Sequence, residues 1–256
     1  MPAQIRLVVS VVAFAVVGIG CRGSARPAAT GAAPVAGPPA SALPADTTGL
    51  VRVRFARGTT SGIVNDSLRP GETRGYVIEA EQGQVMMVHA ITWPVRERES
   101  PPATAAVRVY SASGGSELPA PAVEGAPWSG RLPATGDYIV RVSATGSTAY
   151  TLAVQIPRRL SIGGDDPTAG LTGTAPSRAP VDYIVAGESG RTLAASLRES
   201  DPATLHLYGL DDGRQLAALP ERRRHWAGTL PTSQDYVISV VPAEEGARYE
   251  LTVTLR

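Results

Sequence analysis

The stretch that decides the fold is WSGRLPATGDYIVRV, from Trp128 to Val142. Ninety-eight residues later the chain repeats it as WAGTLPTSQDYVISV, from Trp226 to Val240. Seven of the fifteen positions are identical, including the tryptophan, the Leu-Pro pair and the Asp-Tyr pair. A phrase repeated at this distance indicates two copies of one structural unit.

Three further pairs of segments match in the same order along the chain. They are GYVIEAEQGQ from Gly75 with DYIVAGESGR from Asp182, VRVYSASGGSEL from Val107 with LHLYGLDDGRQL from Leu205, and YTLAV from Tyr150 with YELTV from Tyr249. Each copy is about a hundred residues long, an ordinary size for a small domain. The first copy carries an additional loop, which we predict around Trp93 to Pro102.

Apolar residues in both copies recur at every second position. Tyr150, Leu152, Val154 and Ile156 share one face, as do Tyr249, Leu251, Val253 and Leu255. This alternation is typical of half-buried β-strands. The sequence predicts an all-β protein with two tandem antiparallel β-sandwich domains, jelly-roll or immunoglobulin-like, at 50–157 and 158–256, after a disordered linker.

The N-terminal segment predicts export. Residues 1–20 have one basic residue, Arg6, followed by an apolar run too short to span a bilayer, as in a secretory signal peptide. The run ends at Gly20-Cys21, which resembles the lipobox of bacterial lipoproteins and implies that Cys21 is lipidated. An ordinary signal peptide with an incidental cysteine is the alternative. Residues 21–49, rich in Ala, Pro and Gly, read as a tether. Arg22 replaces the aspartate of inner-membrane retention signals, which favours the outer membrane, facing the periplasm or the cell surface.

The first copy also resembles a known family. The stretch from Arg52 to Gln84, the W-x-G-x-L-P-x-x-x-D-Y phrase and the final AYTLAV are similar to the bacterial pre-peptidase C-terminal (PPC) domain. The second copy resembles it more weakly, because RRLSIGGDDPTAG replaces RFARGTTSG at its start. PPC domains are small β-sandwich modules of secreted proteins, and a related sandwich occurs in inhibitors of g-type lysozyme. The resemblance implies a non-catalytic accessory or binding module.

Composition excludes some classes of function. The chain has 24 basic residues, all arginine, and 23 acidic ones, so it lacks the basic excess of a nucleic-acid-binding protein. Its single cysteine excludes an intrachain disulfide and cysteine-based zinc sites. No serine lies in a G-x-S-x-G frame, and no lysine is available for a phosphate-binding loop. We therefore expect no enzymatic activity, no cofactor and no metal, although a site assembled between the two domains stays open.

Two aspartate pairs could offer oxygen atoms to calcium. Asp211-Asp212 aligns with Ser113-Gly114 of the first copy, so the shared property is turn formation and a hairpin turn is favoured. Asp165-Asp166 is expected in a turn between the two domains.

The candidate partner-binding residues are those that the copies do not share. Trp93 is predicted on the additional loop, where it could anchor a partner or cap the sandwich edge. Arg222, Arg223, Arg224 and His225 form the one dense basic run, which could contact an acidic group or be a solvated loop. Trp128, Tyr138, Trp226 and Tyr236 are interpreted as structural. Tyr138 is expected in a tyrosine corner, and Trp128 in the core with its N–H bonded at the margin.

These inferences predict a non-catalytic, lipid-anchored envelope protein that binds a protein or glycan partner, with no nucleic acid. The alternative is a periplasmic inhibitor of a cell-wall hydrolase such as g-type lysozyme.

Overall fold

The computed structural model describes residues 49–57, 59–93, 103–119, 127–163, 166–198, 200–218 and 221–256, with the side chain of Trp93 excepted. These residues belong to one compact unit. The predicted signal peptide, Cys21 and all but the last residue of the predicted tether lie outside the described residues.

The described residues are organised as strands joined by turns, which confirms the all-β prediction. The strands of the first half are β1 (Val51–Arg52), β2 (Ser61–Leu68), β3 (Thr73–Ala80), β4 (Val85–Trp93), β5 (Ala105–Ser111), β6 (Trp128–Arg131), β7 (Gly136–Ala144) and β8 (Thr148–Gln155). Those of the second half are β9 (Arg158–Leu160), β10 (Thr168–Thr174), β11 (Val181–Gly187), β12 (Thr192–Leu197), β13 (Ala203–Gly209), β14 (Gln215–Ala217), β15 (His225–Thr229), β16 (Gln234–Pro242) and β17 (Arg248–Leu255).

The strands form four sheets, two in each half of the chain. Sheet I has the order β1-β3-β7-β5 and sheet II the order β2-β8-β4-β6. Sheet III has the order β14-β13-β16-β11-β9 and sheet IV the order β10-β17-β12-β15. Apart from β14, each strand of the second half occupies the place of its counterpart in the first. The internal repeat of the sequence is therefore a repeat of topology.

The pairing is antiparallel except at the first strand of each half. β1 lies parallel to β3, with Val51 opposite Tyr76, and β9 lies parallel to β11, with Arg158 opposite Tyr183. The connection from β1 to β3 passes through β2 in the opposite sheet, so the chain enters sheet I twice in the same direction. The periodicity of the sequence does not show which strands pair in parallel, because side chains alternate between the two faces in parallel and antiparallel strands alike.

Each half has its own apolar core between its two sheets. In the first half this core includes Tyr76, Val140 and Leu152, all nearly inaccessible to solvent. In the second half it includes Tyr183, Ile238 and Leu251. The Tyr76 and Tyr150 hydroxyls bond to each other in the first core, and those of Tyr183 and Tyr249 lie 2.6 Å apart in the second. Burial in these cores raises the pKa of Tyr76 and Tyr249.

Residues shared by the two copies of the repeated phrase make equivalent contacts in the two sandwiches. The indole of Trp128 lies over Gly130, where an added Cβ would be 3.0 Å from the ring, and the indole of Trp226 lies over Gly228, where that distance is 2.7 Å. The Tyr138 hydroxyl donates to the Ala134 carbonyl at 2.5 Å, and the Tyr236 hydroxyl donates to the Thr232 carbonyl at 2.6 Å. The tryptophan, glycine and tyrosine that the two copies share thus make the same packing and hydrogen-bond contacts in each sandwich.

The aspartate of the phrase fastens the first strand of each sandwich. The Arg52 guanidinium donates to both carboxylate oxygens of Asp137, at 2.9 and 2.6 Å. The Arg159 guanidinium does the same to Asp235, at 2.6 Å to each oxygen. These arginines lie on β1 and β9, so each pair reaches across the intervening strand of its sheet.

The two sandwiches pack against each other through the outer faces of sheets II and III. Val85 and Met87 of β4 form an apolar cluster with Ile184, Val237 and Tyr208 of sheet III. Strand alternation explains this arrangement, because Met86 and Val88 point into the first core while Met87 points away from it. We call this contact the junction.

Candidate functional site

The centre of the junction is a buried polar cluster around Asp182. The His89 Nε2 atom lies 2.6 Å from Asp182 Oδ2, and the Ser239 hydroxyl donates to Asp182 Oδ1 at 2.5 Å. The Asp182 backbone N–H also donates to the Gln155 side chain at 3.3 Å, and Gln155 Nε2 donates to the Pro180 carbonyl at 2.5 Å. His89 and Gln155 belong to the first sandwich, while the other groups belong to the second. The cluster therefore ties the two sandwiches together.

The residue types at this cluster are those of a hydrolase triad, but their order is different. In a triad the histidine contacts the serine and removes its proton, while the carboxylate orients the histidine. Here Asp182 lies between the other two, and the Ser239 hydroxyl donates to a carboxylate. Both Asp182 and Ser239 are only 2% exposed. In this geometry His89 bonds to Asp182 and not to Ser239, so the histidine-to-serine contact of a triad is missing and the hydrogen bonds join the two sandwiches.

A second charged cluster lies at another part of the junction. Arg131, at the end of β6, donates to Asp235 Oδ2 at 2.5 Å, alongside the bidentate contact from Arg159. Its other terminal nitrogen donates to the Gly83 carbonyl at 3.2 Å. The hydrogen bonds from Arg159, reinforced by those from Arg131, lower the pKa of Asp235 although burial opposes them. The Asp235 carboxylate thus binds one arginine of its own sheet and one arginine of the other sandwich.

His206 and Tyr208 complete the face that sheet III presents to the junction. Their rings lie 4.9 Å apart, and both are at least nine-tenths buried. Among the described residues, His206 Nε2 and the Tyr208 hydroxyl have no hydrogen-bond partner. Burial lowers the pKa of His206, since the charged imidazolium is poorly solvated there.

A surface groove of about 1130 Å³ lies at one end of the first sandwich. Apolar side chains line part of it, including Phe55, Ile78 and Ile156. Its other lining residues are polar or charged, with both signs present: Arg52, Arg54, Thr59, Thr60, Glu79, Glu81, Gln84, Thr135 and Asp137. We call it the β1–β2 groove. An apolar lining beside mixed charge suits a protein surface or a peptide better than a single ionic ligand.

The second sandwich has a corresponding but smaller pocket of about 360 Å³, lined by Ile162, Ala186 and Glu188 among others. The larger groove of the first sandwich is lined in part by a segment that the second copy does not share. Phe55, Thr59 and Thr60 belong to RFARGTTSG, which RRLSIGGDDPTAG replaces at the start of the second copy. The Arg52–Asp137 pair at its rim lowers the pKa of the carboxyl group, chiefly through the hydrogen bonds from Arg52.

The structure places Trp93 in the first sandwich and the arginine run in the second. Trp93 is the last residue of β4, opposite Ala149 of β8, so the expectation of a loop position was wrong. The strand extends this far because β8 offers pairing partners from Met87 to Trp93. Arg222, Arg223 and His225 are exposed, and Arg223 is paired with Glu221.

The arginine run is held by its main chain. The Leu205 N–H donates to the Arg223 carbonyl and the Leu197 N–H to the Arg224 carbonyl, both at 2.7 Å. Arg222 adopts a φ of 47°, which turns the chain before β15. Hydrogen bonds thus fix the main chain of the run, while the side chains of Arg222, Arg223 and His225 are exposed. That the run binds a partner stays a prediction.

Two further expectations need correction. The Trp128 indole is buried, but its N–H has no partner among the described residues, because the ring is positioned by apolar packing over Gly130. Asp166 lies between β9 and β10, where it exchanges backbone hydrogen bonds with Gly163. This turn is inside the second sandwich and not between the two. The Asp212 carboxylate accepts from the Arg214 N–H at 2.9 Å, as in a tight turn.

Sequence reasoning missed the residues that build the junction. No motif in the sequence singled out His89 or Asp182 as contact residues between the two sandwiches. One signal was available: Asp182 stands where the first copy has Gly75, so a charged residue appears at a position that is otherwise without a side chain. In the first sandwich the Leu50 side chain fills that space, 2.4 Å from where a Gly75 Cβ would be.

The described part of the chain has neither a cluster of metal ligands nor a membrane-spanning helix. No group of three or more His, Cys, Asp or Glu side chains there could hold a metal ion. No helix among the same residues is long and apolar enough to span a bilayer.

No protein-family model matches the chain, and no curated protein matches it either. Among solved structures it is similar to PliG, a periplasmic inhibitor of g-type lysozyme, from Aeromonas hydrophila, with 25% identity over 41% of this chain and 94% of that one and a TM-score of 0.34. The Salmonella Typhimurium PliG shows 17% identity over 42% and 98%, with a TM-score of 0.31. A mutant PliG from Escherichia coli shows 20% identity over 41% and 95%, with a TM-score of 0.29.

Proposed function

We propose that this chain is a non-catalytic protein of the bacterial cell envelope that binds a protein partner through the β1–β2 groove. The observation that carries the proposal is the groove itself, with its apolar lining, its rim of both charges and its larger volume than the corresponding pocket of the second sandwich. The resemblance of the first copy to PPC modules supports a binding role. The order of Asp182, His89 and Ser239 supports the absence of hydrolase chemistry at the junction.

The junction gives this binding surface a rigid support. Two arginines, Arg131 and Arg159, converge on Asp235, and the Asp182 cluster and the apolar contact lie between the sandwiches. A binding surface on a pre-organised body loses less conformational entropy on association than one on a flexible pair of domains. The second sandwich therefore serves the first as a platform.

Site-specific photocrosslinking in living cells tests the binding proposal. We expect a crosslinker at the exposed Thr60, in the groove, to capture a discrete protein, and one at the exposed Glu244, in a turn of the second sandwich, to capture none. The captured band should disappear when Glu79 and Glu81 are both changed to arginine and persist when Glu244 and Glu245 are. Equal capture at both positions, or capture that ignores the groove charges, contradicts the proposal.

Inhibition of a cell-wall hydrolase is a narrower function of the same class. It is supported by the sequence resemblance to sandwiches found in inhibitors of g-type lysozyme. A lysis assay with purified g-type lysozyme tests it directly. We expect the wild-type chain to slow lysis and the Glu79→Arg, Glu81→Arg variant to lose that effect. If the wild-type chain leaves lysis unchanged, the inhibitor function is rejected while the crosslinking result decides the broader one.

We further propose that lipidation of Cys21 anchors the protein in the outer membrane. The support is the apolar run that ends at the single cysteine, together with Arg22 after it. Cys21→Ser should move the protein from the membrane fraction to the soluble fraction. A wild-type protein that fractionates as soluble contradicts the anchor.

A further inference from the structure

The outer edge of sheet IV is formed by β10, a seven-residue strand with the sequence TAGLTGT. Among the described strands, β10 pairs only with β17. Its sequence has no charged residue and no proline, the two devices that commonly protect a sheet edge from pairing with another chain.

The other sheet edges in the described part of the chain are protected. The edge strands β1, β6, β9, β14 and β15 have five residues or fewer. The Leu118 N–H donates to the Val109 carbonyl, so the segment after β5 covers that edge. The counterpart of β10 in the first sandwich, β2, carries the charged residue Asp66. Among the described edge strands, β10 alone is longer than five residues, free of charged residues and not covered by a following segment.

The backbone of β10 offers a regular row of hydrogen-bonding groups to solvent. In an antiparallel ladder, alternate residues bond to the neighbouring strand. The Leu255 N–H donates to the Pro167 carbonyl and the Ala175 N–H to the Ala247 carbonyl, so the odd-numbered residues between them face β17. The N–H and C=O groups of four residues therefore point outward, and all four residues are exposed: Thr168, Gly170, Thr172 and Thr174.

We propose that β10 is a dimerisation edge, at which a second copy of this chain adds its own β10 in antiparallel orientation. A two-fold axis at Leu171 places Thr168 opposite Thr174 of the second copy and Gly170 opposite Thr172. All four outward-facing residues of each copy are then paired. The result is one continuous sheet that runs through both molecules.

Side-chain chemistry favours a second copy as the occupant. A strand that carries charge repels its own antiparallel copy, whereas β10 does not. Its outward-facing residues pair threonine with threonine and threonine with glycine, and threonine hydroxyls already bond across the sheet at Thr168 and Thr254, 3.0 Å apart.

Gly170 is the position at which this proposal is most cleanly tested. An added Cβ there meets nothing within 4 Å and its φ is not positive, so a side chain is accommodated within the monomer. In the dimer, position 170 of each copy lies diagonally across the axis from position 170 of the other, within reach of long side chains. Gly170→Lys therefore places two like charges together only in the dimer.

Sedimentation equilibrium of the purified chain over the micromolar to millimolar range supplies the measurement. We expect a reversible dimer for the wild type and for the matched control Gly170→Ala. Gly170→Lys should weaken the association at least tenfold, with an unfolding free energy equal to that of Gly170→Ala. A wild-type chain that stays monomeric over this range, or a Gly170→Lys variant that dimerises as well as the control, overturns the proposal.

A mixing experiment distinguishes the second copy from any other occupant of the edge. Gly170→Glu alone should also dissociate the dimer, and an equimolar mixture of Gly170→Glu with Gly170→Lys should restore it as a heterodimer. Restoration requires that position 170 of one copy lies near position 170 of the other across the axis. Pairing of β10 with a strand of a different protein would not bring these positions together. Failure of the mixture to associate overturns the two-fold register.

Discussion

At the scale of single residues, two glycines of the repeat make room for an indole. Trp226 and Gly228 lie two positions apart on β15, and side chains two positions apart share one face of a strand. The indole lies across the glycine, as it does at Trp128 and Gly130. The spacing W-x-G is therefore a packing requirement, and it recurs in both copies for that reason.

Gly228→Ala should lower the free energy of unfolding by about 1–3 kcal/mol, because its Cβ would be 2.7 Å from Trp226 Cζ2 and would displace the indole. Gly130→Ala, at 3.0 Å, should cost less. Urea denaturation followed by tryptophan fluorescence measures both. Gly170→Ala, which meets no atom within 4 Å, is the control, and equal effects at Gly228 and Gly170 would contradict this account.

At the scale of elements, equivalent strands of the two sandwiches carry the same ion pair in different settings. Asp137 at the start of β7 binds Arg52, and its side chain is 30% exposed. Asp235 at the start of β16 binds Arg159 and also Arg131, and its side chain is 9% exposed. The arginine–aspartate pair forms within one sheet in both sandwiches, while Arg131, the second arginine at Asp235, comes from the other sandwich.

Asp235→Ala should therefore cost more stability than Asp137→Ala. Hydrogen bonds to a charged and largely buried group contribute about 1.5–3 kcal/mol. A half-exposed ion pair such as that of Asp137 contributes about 1 kcal/mol or less. Chemical denaturation of the two variants at neutral pH provides the comparison. Equal losses, or a larger loss for Asp137→Ala, would show that Arg131 adds nothing at the junction.

At the scale of the whole molecule, the buried groups of the junction make the two sandwiches a single body. The Asp182 carboxylate accepts hydrogen bonds from both sandwiches, and no solvent reaches it. Leaving a buried donor without an acceptor is costly. The native arrangement of the two sandwiches is consequently specific, since sliding one over the other would break these contacts.

Asp182→Ala should destabilise the protein by about 1–3 kcal/mol for each of the two donors, His89 and Ser239, that it leaves unsatisfied. We also expect the single denaturation transition of the wild type to separate into two, as the sandwiches unfold independently. Asp211→Ala, at an exposed turn, is the matched control. A single transition at an unchanged midpoint in the Asp182 variant would refute this role. Adding His89→Ala should cost less than the sum of the two changes.

The junction also makes stability depend on pH. Burial lowers the pKa of His206 in the folded protein, so the unfolded chain, with an ordinary histidine pKa of about 6.5, binds the proton more readily. The free energy of unfolding should therefore fall as the pH falls through about 6.5. The charge of Asp182 opposes this lowering of the His206 pKa and that of His89 adds to it, whereas hydrogen bonds from arginine lower the pKa values of Asp137 and Asp235.

Urea denaturation between about pH 5 and 8 tests this dependence. His206→Phe should flatten the loss of stability towards acid relative to the wild type. His225→Phe changes an exposed histidine and should leave the slope unaltered. An unaltered slope in the His206 variant would show that this residue is not the source.

The sequence by itself determined the strand pattern, the repeat and the local packing at the W-x-G and D-Y spacings. Alternation, turn residues and the W-x-G and D-Y spacings act within a few residues or within one sheet, so they are legible along the chain. No local pattern indicates that Trp93 continues a strand, because that depends on the length of its partner β8. Only the tertiary structure decided the junction, since His89 and Asp182 are 93 residues apart and neither has a local reason to be paired. The exposed neutral edge of β10 and the β1–β2 groove follow likewise from which strands and loops the fold leaves uncovered.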